Sequence, residues 1–241
     1  RLAILDLSPA GHQPMTNEDG TLWLVFNGEI YNYRSLVSEL EAAGHIFRSR
    51  SDSEAILHAY EQWGDDCVLH FNGMFALALW DEPRQRLFAA RDRFGIKPFY
   101  YHANAERFVF ASEIKALFAD AATPHRVNDA RLSDYLVYGY LDHTADTMFA
   151  DIRQLPSAHR LVYREGNLVI QRYWDLNPDQ RLDDLSDQVA AERLHELFFE
   201  SVRLHLQRDV PIGTCLSGGL DSSAIVCAIA RLLDADGVDR A

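Results

Sequence analysis

Leu216-Ser217-Gly218-Gly219-Leu220-Asp221-Ser222-Ser223 divides this chain: the residues before it read as one domain, and those after it as the first helix of another. Upstream, Pro211-Ile212-Gly213-Thr214-Cys215-Leu216 is a short apolar run that predicts a buried strand. Downstream, Ala224-Ile225-Val226-Cys227-Ala228-Ile229-Ala230 predicts a helix. A loop joining strand to helix aims unpaired helix N–H groups, carrying about half a positive charge, at whatever sits in it. Two glycines allow close backbone approach, and the serines add hydroxyl donors.

The kind of anion loop is decided by what is missing. Neither G-x-x-x-x-G-K-[ST] nor G-x-G-x-x-G is present, and no lysine follows Gly219. Neutralisation then falls to the helix end and a metal ion, and Asp221 either caps the helix or holds Mg²⁺. A plain Gly-Gly turn with Asp221 and Ser222 as caps is the simpler alternative. Ser217-Gly218-Gly219-Leu220-Asp221-Ser222-Ser223 resembles the loop of the ATP pyrophosphatases, enzymes that adenylate a carbonyl oxygen and release pyrophosphate. The resemblance implies ATP and Mg²⁺ as cofactors. It puts Leu216, Ser217, Gly218, Gly219, Asp221 and Ser222 at ATP, with Asp221 at the metal, near the beginning of an α/β domain.

Composition bounds the rest. The 241 residues are 48% hydrophobic and 24% charged, as in a soluble globular chain. No apolar run approaches the roughly 20 residues of a membrane helix, and the first residues are no signal peptide, so a cytoplasmic location is expected. A net charge of −13 without a basic run argues against nucleic acid. Cys67, Cys215 and Cys227 have no metal-like spacing, and His195-Glu196 lacks the second histidine of H-E-x-x-H. The chain begins at Arg1 in what reads as mid-strand and ends just past the helix after the loop; the expectation is a fragment.

Read in order, residues 21–26 predict a strand running into Asn27-Gly28-Glu29-Ile30-Tyr31-Asn32. Asn-Gly is a hairpin signal, yet no strand comes after it. Asn32 instead predicts the cap of a helix over 33–43 ended by Gly44, leaving a strand end whose N–H groups and Asn27 amide face a ligand. Asp52 predicts the cap of a second helix closed by Gly64. Residues 74–80 with 87–90, 99–101 with 108–111, and 159–163 with 168–170 predict hairpins. Ser112 reads as the capped start of a short helix, and residues 131–136 as helical. The charged run Arg91-Asp92-Arg93-Phe94-Gly95-Ile96-Lys97-Pro98 reads as a solvated turn with internal ion pairs. The expected organisation is a first domain over 1–176, a linker over 177–187 and a second domain from 188. In the second, a helix over 189–206 sets Leu194, Leu197, Phe198, Val202 and Leu206 on one face. Hairpins interleaved with helices make the first domain α+β, with two sheets faced by helices.

Asn27-Gly28-Glu29-Ile30-Tyr31-Asn32, Ser51-Asp52-Ser53-Glu54, the 91–98 run and Ala111-Ser112-Glu113-Ile114-Lys115-Ala116-Leu117 together resemble the glutamine amidotransferase domain of glutamine-hydrolysing asparagine synthetases. That resemblance implies an N-terminal-nucleophile hydrolase fold, an αββα sandwich, in which an N-terminal cysteine attacks glutamine's side-chain amide. It implies Asn27 and Gly28 as the oxyanion hole and Glu29 and Asp52 at the α-ammonium of glutamine. Arg1 with Leu2, Ala3, Ile4 and Leu5 would hold the carboxylate side. Ammonia would then meet aspartate activated as β-aspartyl-AMP, so glutamine, aspartate and ATP are the expected partners, and a homodimer is compatible. No cysteine lies at or before Arg1, so the nucleophile is expected outside this chain. A relative acting on another carboxylate, such as a β-lactam synthetase, and a storage or stress protein on the amidotransferase fold are the alternatives.

Overall fold

Alternation in the strands Leu22–Ile30, Gly73–Asp81 and Arg86–Arg91 sets the layers of this protein. The computed structural model describes residues 4–6, 8–179, 185–207 and 209–235, in two compact units, Arg1–Asp175 and Leu176–Ala241. The first unit contains β1 (Met15–Thr16), β2 (Leu22–Ile30), α1 (Tyr33–Ala42), α2 (Asp52–Trp63), β3 (Gly73–Asp81) and β4 (Arg86–Arg91). It continues with β5 (Tyr100–Ala103), β6 (Phe108–Ala111), α3 (Ile114–Leu117), α4 (Asp129–Tyr138), β7 (Arg153–Gln154), β8 (His159–Arg164) and β9 (Asn167–Arg172). One antiparallel sheet has the order β1-β2-β3-β4-β8-β9, and a second has β6-β5-β7.

The two faces of the large sheet carry different side chains. Leu22, Leu24, Phe26, Phe75, Leu77, Leu79 and Phe88 pack against Leu36 and Leu40 of α1 and Ile56 and Leu57 of α2. The opposite face presents Ala76, Ala78 and Ala89 to Phe99 and Tyr101, with Phe108 and Phe110 partly buried beside them. Small residues on one sheet thus receive aromatic rings from the other, which brings two sheets to close packing. α3 packs against β5 and β6, whereas α4 buries none of its side chains. The order helix, sheet, sheet, short helix is the α+β sandwich expected of the N-terminal-nucleophile hydrolase type.

Several local expectations are corrected. β2 does not end at Phe26; it pairs with β3 through Asn27↔Ala76, Gly28↔Phe75, Glu29↔Met74 and Ile30↔Gly73. Asn32 precedes α1 but makes no cap bond, because its amide is spent on the His70 carbonyl and the Asn72 N–H. Ser51, not Asp52, caps α2 by accepting from the Ser53 N–H; Asp52 is the first helical residue. Ser112 does not cap α3, whose N-cap position is Glu113 without a side-chain bond.

The second unit holds α5 (Asp187–His205) and α6 (Leu220–Ala235), joined by a core of Val202, Ala228 and Leu232 with Phe198, Phe199, Leu206 and Ile229. Leu194 and Leu197 are exposed, contrary to the expected face, because the contacts with α6 fall on the C-terminal half of α5. Residues 211–216 form no strand: a strand requires a ladder partner, and the described residues of this unit include none. Among the described residues, no helix is long and apolar enough to cross a membrane.

A buried ionic knot closes the β3–β4 hairpin. Asp81, at the end of β3, accepts from the Tyr60 hydroxyl at 2.9 Å, the Arg84 N–H at 3.1 Å and Arg84 Nη1 at 2.7 Å. Burial would push its carboxyl pKa up, but the bonds from Arg84 and Tyr60 outweigh that and hold it below the usual carboxylate value. Its stabilisation is therefore present above about pH 4 and lost as pH falls through the depressed folded value. Asp81→Asn is expected to cost about 2 kcal/mol at neutral pH and to flatten the acid limb of stability, read by urea unfolding between pH 2 and 7.

Candidate active site

The distal end of β2 supplies the candidate groups, and hydrogen-bond parity fixes their directions. Residues facing alternate neighbours differ by one along a strand. The Tyr31 N–H donates to the Asn72 carbonyl on the β3 side, whereas the Phe26 N–H turns the other way, to Gln13 Oε1 at 2.8 Å. The Ile30 N–H turns the same way as that of Phe26, to Asp52 Oδ2 at 3.0 Å. Gly28 lies between those two and shares their direction. Its opposite number, Phe75, has both backbone groups committed to Asp92: the carbonyl to the Asp92 N–H, the N–H to Asp92 Oδ2. The Gly28 N–H therefore points away from β3, past the end of β1, with no ladder acceptor opposite it among the described residues. A Cβ on Gly28 would overlap the Met74 carbonyl oxygen, and one on Gly73 that of Glu29, so both glycines are required by close strand approach.

Asn27 and Glu29, two residues apart, share the face toward the second sheet. Asn27 lines a cleft of about 340 Å³ with Gln13, Ala76, Phe99, Phe110 and Ser112. Its Nδ2 donates to Ser112 Oγ at 3.1 Å, which orients the amide and leaves its second N–H. Glu29 is 3% exposed, yet its carboxylate makes no hydrogen bond or ion pair with any described residue. A carboxylate without a partner among the described residues, on a side chain otherwise packed away, suits an incoming cation. Asp52, 2% exposed, is held against the adjoining Ile30 backbone. Leu5 packs into the core on the helix side, Ile4 is half-buried, and Arg1, Leu2 and Ala3 lie outside the described residues.

The charged run after β4 differs from the ion-paired turn expected. Asp92 is fully buried and its carboxylate accepts four backbone N–H groups, from Phe75, Phe94, Ile96 and Lys97, at 2.9–3.1 Å. Arg91 donates to the carbonyls of Lys97, Gly95 and Leu155 and to Gln154 Oε1. The charges bind backbone, not one another. Asp92, Ser112 and Gln13 were not singled out as site-builders from sequence. The Asp-x-Phe-Gly spacing is an Asx-type loop signal that points to Asp92; nothing local points to Gln13.

In the second unit, Ser217 Oγ and Ser222 Oγ lie 2.9 Å apart across the loop, and Gly218 is left-handed at φ +80°. A Cβ on Gly218 would meet nothing within 4 Å, so the loop is open around it. Asp221 stands exposed in the first turn of α6 and belongs to no metal-capable cluster among the described residues. Cys67 is buried, and burial raises its thiol pKa far above the range of a reactive thiolate.

Compared with known proteins, residues 1–174 match the model of the glutamine amidotransferase domain family, and residues 193–237 match that of asparagine synthase. Asparagine synthetase [glutamine-hydrolyzing] 3 of Bacillus subtilis is 43% identical over 239 residues, 98% of this chain and 38% of that protein. Amidase chry2 of Gibberella zeae is 38% identical over 237 residues, 97% of this chain and 34% of that protein. The chain thus spans little more than a third of the curated relatives it matches. A glutamine phosphoribosylpyrophosphate amidotransferase structure from B. subtilis shares the fold at a TM-score of 0.50 and 16% identity. That match covers 96% of this chain and 48% of the other.

Asp92→Asn is expected to destabilise the chain by about 3 kcal/mol, since an amide offers one oxygen and two unwanted donors to four N–H groups. Asn27→Ala removes one half-buried bond and should cost about 1 kcal/mol or less. Equal losses in urea titration would contradict the ranking.

Proposed function

The chain belongs to the glutamine amidotransferase domain family, and from that membership we infer that its first unit binds glutamine and releases ammonia from the side-chain amide. The observation that carries this reading is the Glu29 carboxylate, without a hydrogen bond or ion pair among the described residues, next to Gly28 along β2 and on the same strand face as the Asn27 amide. A free amino acid brings an ammonium for the carboxylate and an amide carbonyl for the donors. Glu29 and Asp52 take the α-ammonium by charge-assisted bonds, and Arg1 takes the α-carboxylate. The attacking thiolate is the family's N-terminal cysteine, lying outside these residues. It adds to the amide carbon, and the oxyanion that forms accepts from Asn27 Nδ2 and the Gly28 N–H, each donor worth about 3–4 kcal/mol of barrier. Collapse with protonation of nitrogen expels ammonia, and water hydrolyses the thioester to glutamate.

The second unit, in the same reading, begins the ligase that consumes this ammonia. Its loop fits an anion: Gly218 is left-handed and open, two hydroxyls converge, and a 16-residue helix starts at Leu220. Leu216, Ser217, Gly218, Gly219, Asp221 and Ser222 hold ATP, and Asp221 holds Mg²⁺, which neutralises pyrophosphate when bound. The aspartate side-chain carboxylate displaces pyrophosphate to give β-aspartyl-AMP, and ammonia displaces AMP to give asparagine.

In a protein that joins this chain to a complete synthetase domain, pyrophosphate release is expected only with aspartate, ATP-Mg²⁺ and either glutamine or ammonia. Release that ignores aspartate but answers to another carboxylate overturns the asparagine reading. Glu29→Gln should raise KM for glutamine about 10- to 100-fold, equivalent to about 1.5–3 kcal/mol for a charged hydrogen bond, with the ammonia-driven reaction unchanged. An unchanged KM removes Glu29 from the glutamine site.

A further inference from the structure

Helix α2 carries a second group of titratable side chains that the glutamine reading does not use. Its residues Asp52 through Tyr60 are all buried, polar ones included. His58 is 2% exposed, and its two ring nitrogens differ in situation. Nδ1 lies 2.8 Å from Glu61 Oε2, a hydrogen bond. Nε2 is buried without a hydrogen-bond partner. Two carboxylate oxygens face it, Glu18 Oε1 at 3.5 Å and Glu54 Oε1 at 3.8 Å, too far for good hydrogen bonds.

These distances suit an ion between the groups. Two ligands each about 2.1 Å from a tetrahedral metal lie about 3.4 Å apart. Glu61 behind the imidazole supplies the other half of a carboxylate–histidine–metal arrangement: with its proton on Nδ1, His58 turns the Nε2 lone pair toward Glu18 and Glu54. The supporting carboxylates are themselves fixed. Glu54 accepts from the backbone N–H groups of Arg48 and Ser49 and from Ser49 Oγ, and Glu61 accepts from Asn17 Nδ2 at 2.8 Å. Glu18, on the turn between β1 and β2, is 35% exposed and opens the group to solvent. The carboxylates of Glu18, Glu54 and Glu61 surround the imidazole with negative charge within 3.8 Å, a field that favours a bound cation.

We propose that His58 Nε2, Glu18 and Glu54 bind a divalent first-row transition-metal ion, with Glu61 as the positioning residue. One imidazole and two carboxylates match zinc and its neighbours, and three protein ligands leave a position for water. The ion would fasten the β1–β2 turn to α2, the helix whose first residue is Asp52.

The test uses the 241-residue chain stripped of metal by chelator, with zinc titrated calorimetrically and cobalt(II) read by visible absorption. One saturating ion per chain and the intense bands of low-coordinate cobalt are expected. His58→Gln should abolish both. Glu18→Gln, at a partly exposed turn where folding is not in question, should weaken zinc about tenfold or more, and Glu61→Gln about tenfold. His195→Gln, in the other unit, should change nothing. If zinc does not saturate, or binds Glu18→Gln and His58→Gln as it binds the parent, a proton alone fills the site and the proposal fails.

Discussion

A single buried carboxylate, that of Asp92, ties the loop after β4 to the large sheet. Four backbone N–H groups converge on it, and one of them, from Phe75, belongs to the strand in the middle of the large sheet. Gathering four donors around one buried anion replaces the water the charge has lost. It also engages both backbone groups of Phe75 on the side away from β2, in keeping with Gly28 and Phe75 being a pair that exchanges no hydrogen bonds. Close approach of β2 to β3 at Gly28 and Gly73 completes the constraint.

The large sheet divides its labour by face. Toward the helices it carries leucine and phenylalanine and builds the main core. Toward the second sheet it carries alanine, and aromatic rings from that sheet fill the space. At the rim of this inter-sheet layer the packing gives way to a cleft, and the polar side chains Asn27, Ser112 and Gln13 line it. Polar chemistry sits where the apolar layer ends, with Glu29 on the same face of the strand.

Much of this was legible in the chain because its signals are local. Hairpins at 81–86, 103–108 and 164–167, the closure of α2 at Gly64 and the fold type are all set by turn chemistry and alternation within a few residues. What escaped reading depends on partners far along the chain. Asp52 looks like a cap because aspartate favours that place; Ser51 caps instead, and Asp52 is claimed by Ile30, 22 residues earlier. Ser112 looks like a cap and is claimed by Asn27, 85 residues earlier. Arg91 and Asp92 look like an ion pair, yet each finds backbone groups that only the folded loop assembles. The strand foreseen at 211–216 failed for the complementary reason: apolar sequence supplies a candidate, while a ladder needs a second strand.

The order of strands in the large sheet also bears on how the chain assembles. β1 through β4 are neighbours in sequence and in space, but β4 then pairs with β8, Ala90 opposite Arg160. The intervening stretch contains the whole second sheet, α3 and α4. Closing a loop of that length costs entropy that grows only with the logarithm of its size, but nothing repays it until the pairing forms. β1–β4 with α1 and α2 can gather by short-range steps, as synthesis from the N-terminus favours. The β4–β8 seam and the alanine–aromatic layer beneath it close together, as the long-range event. The cleft is lined by β2 and β3 on one side and by Phe99 and residues 110–113 on the other, so it acquires its shape only when the second sheet packs onto the first.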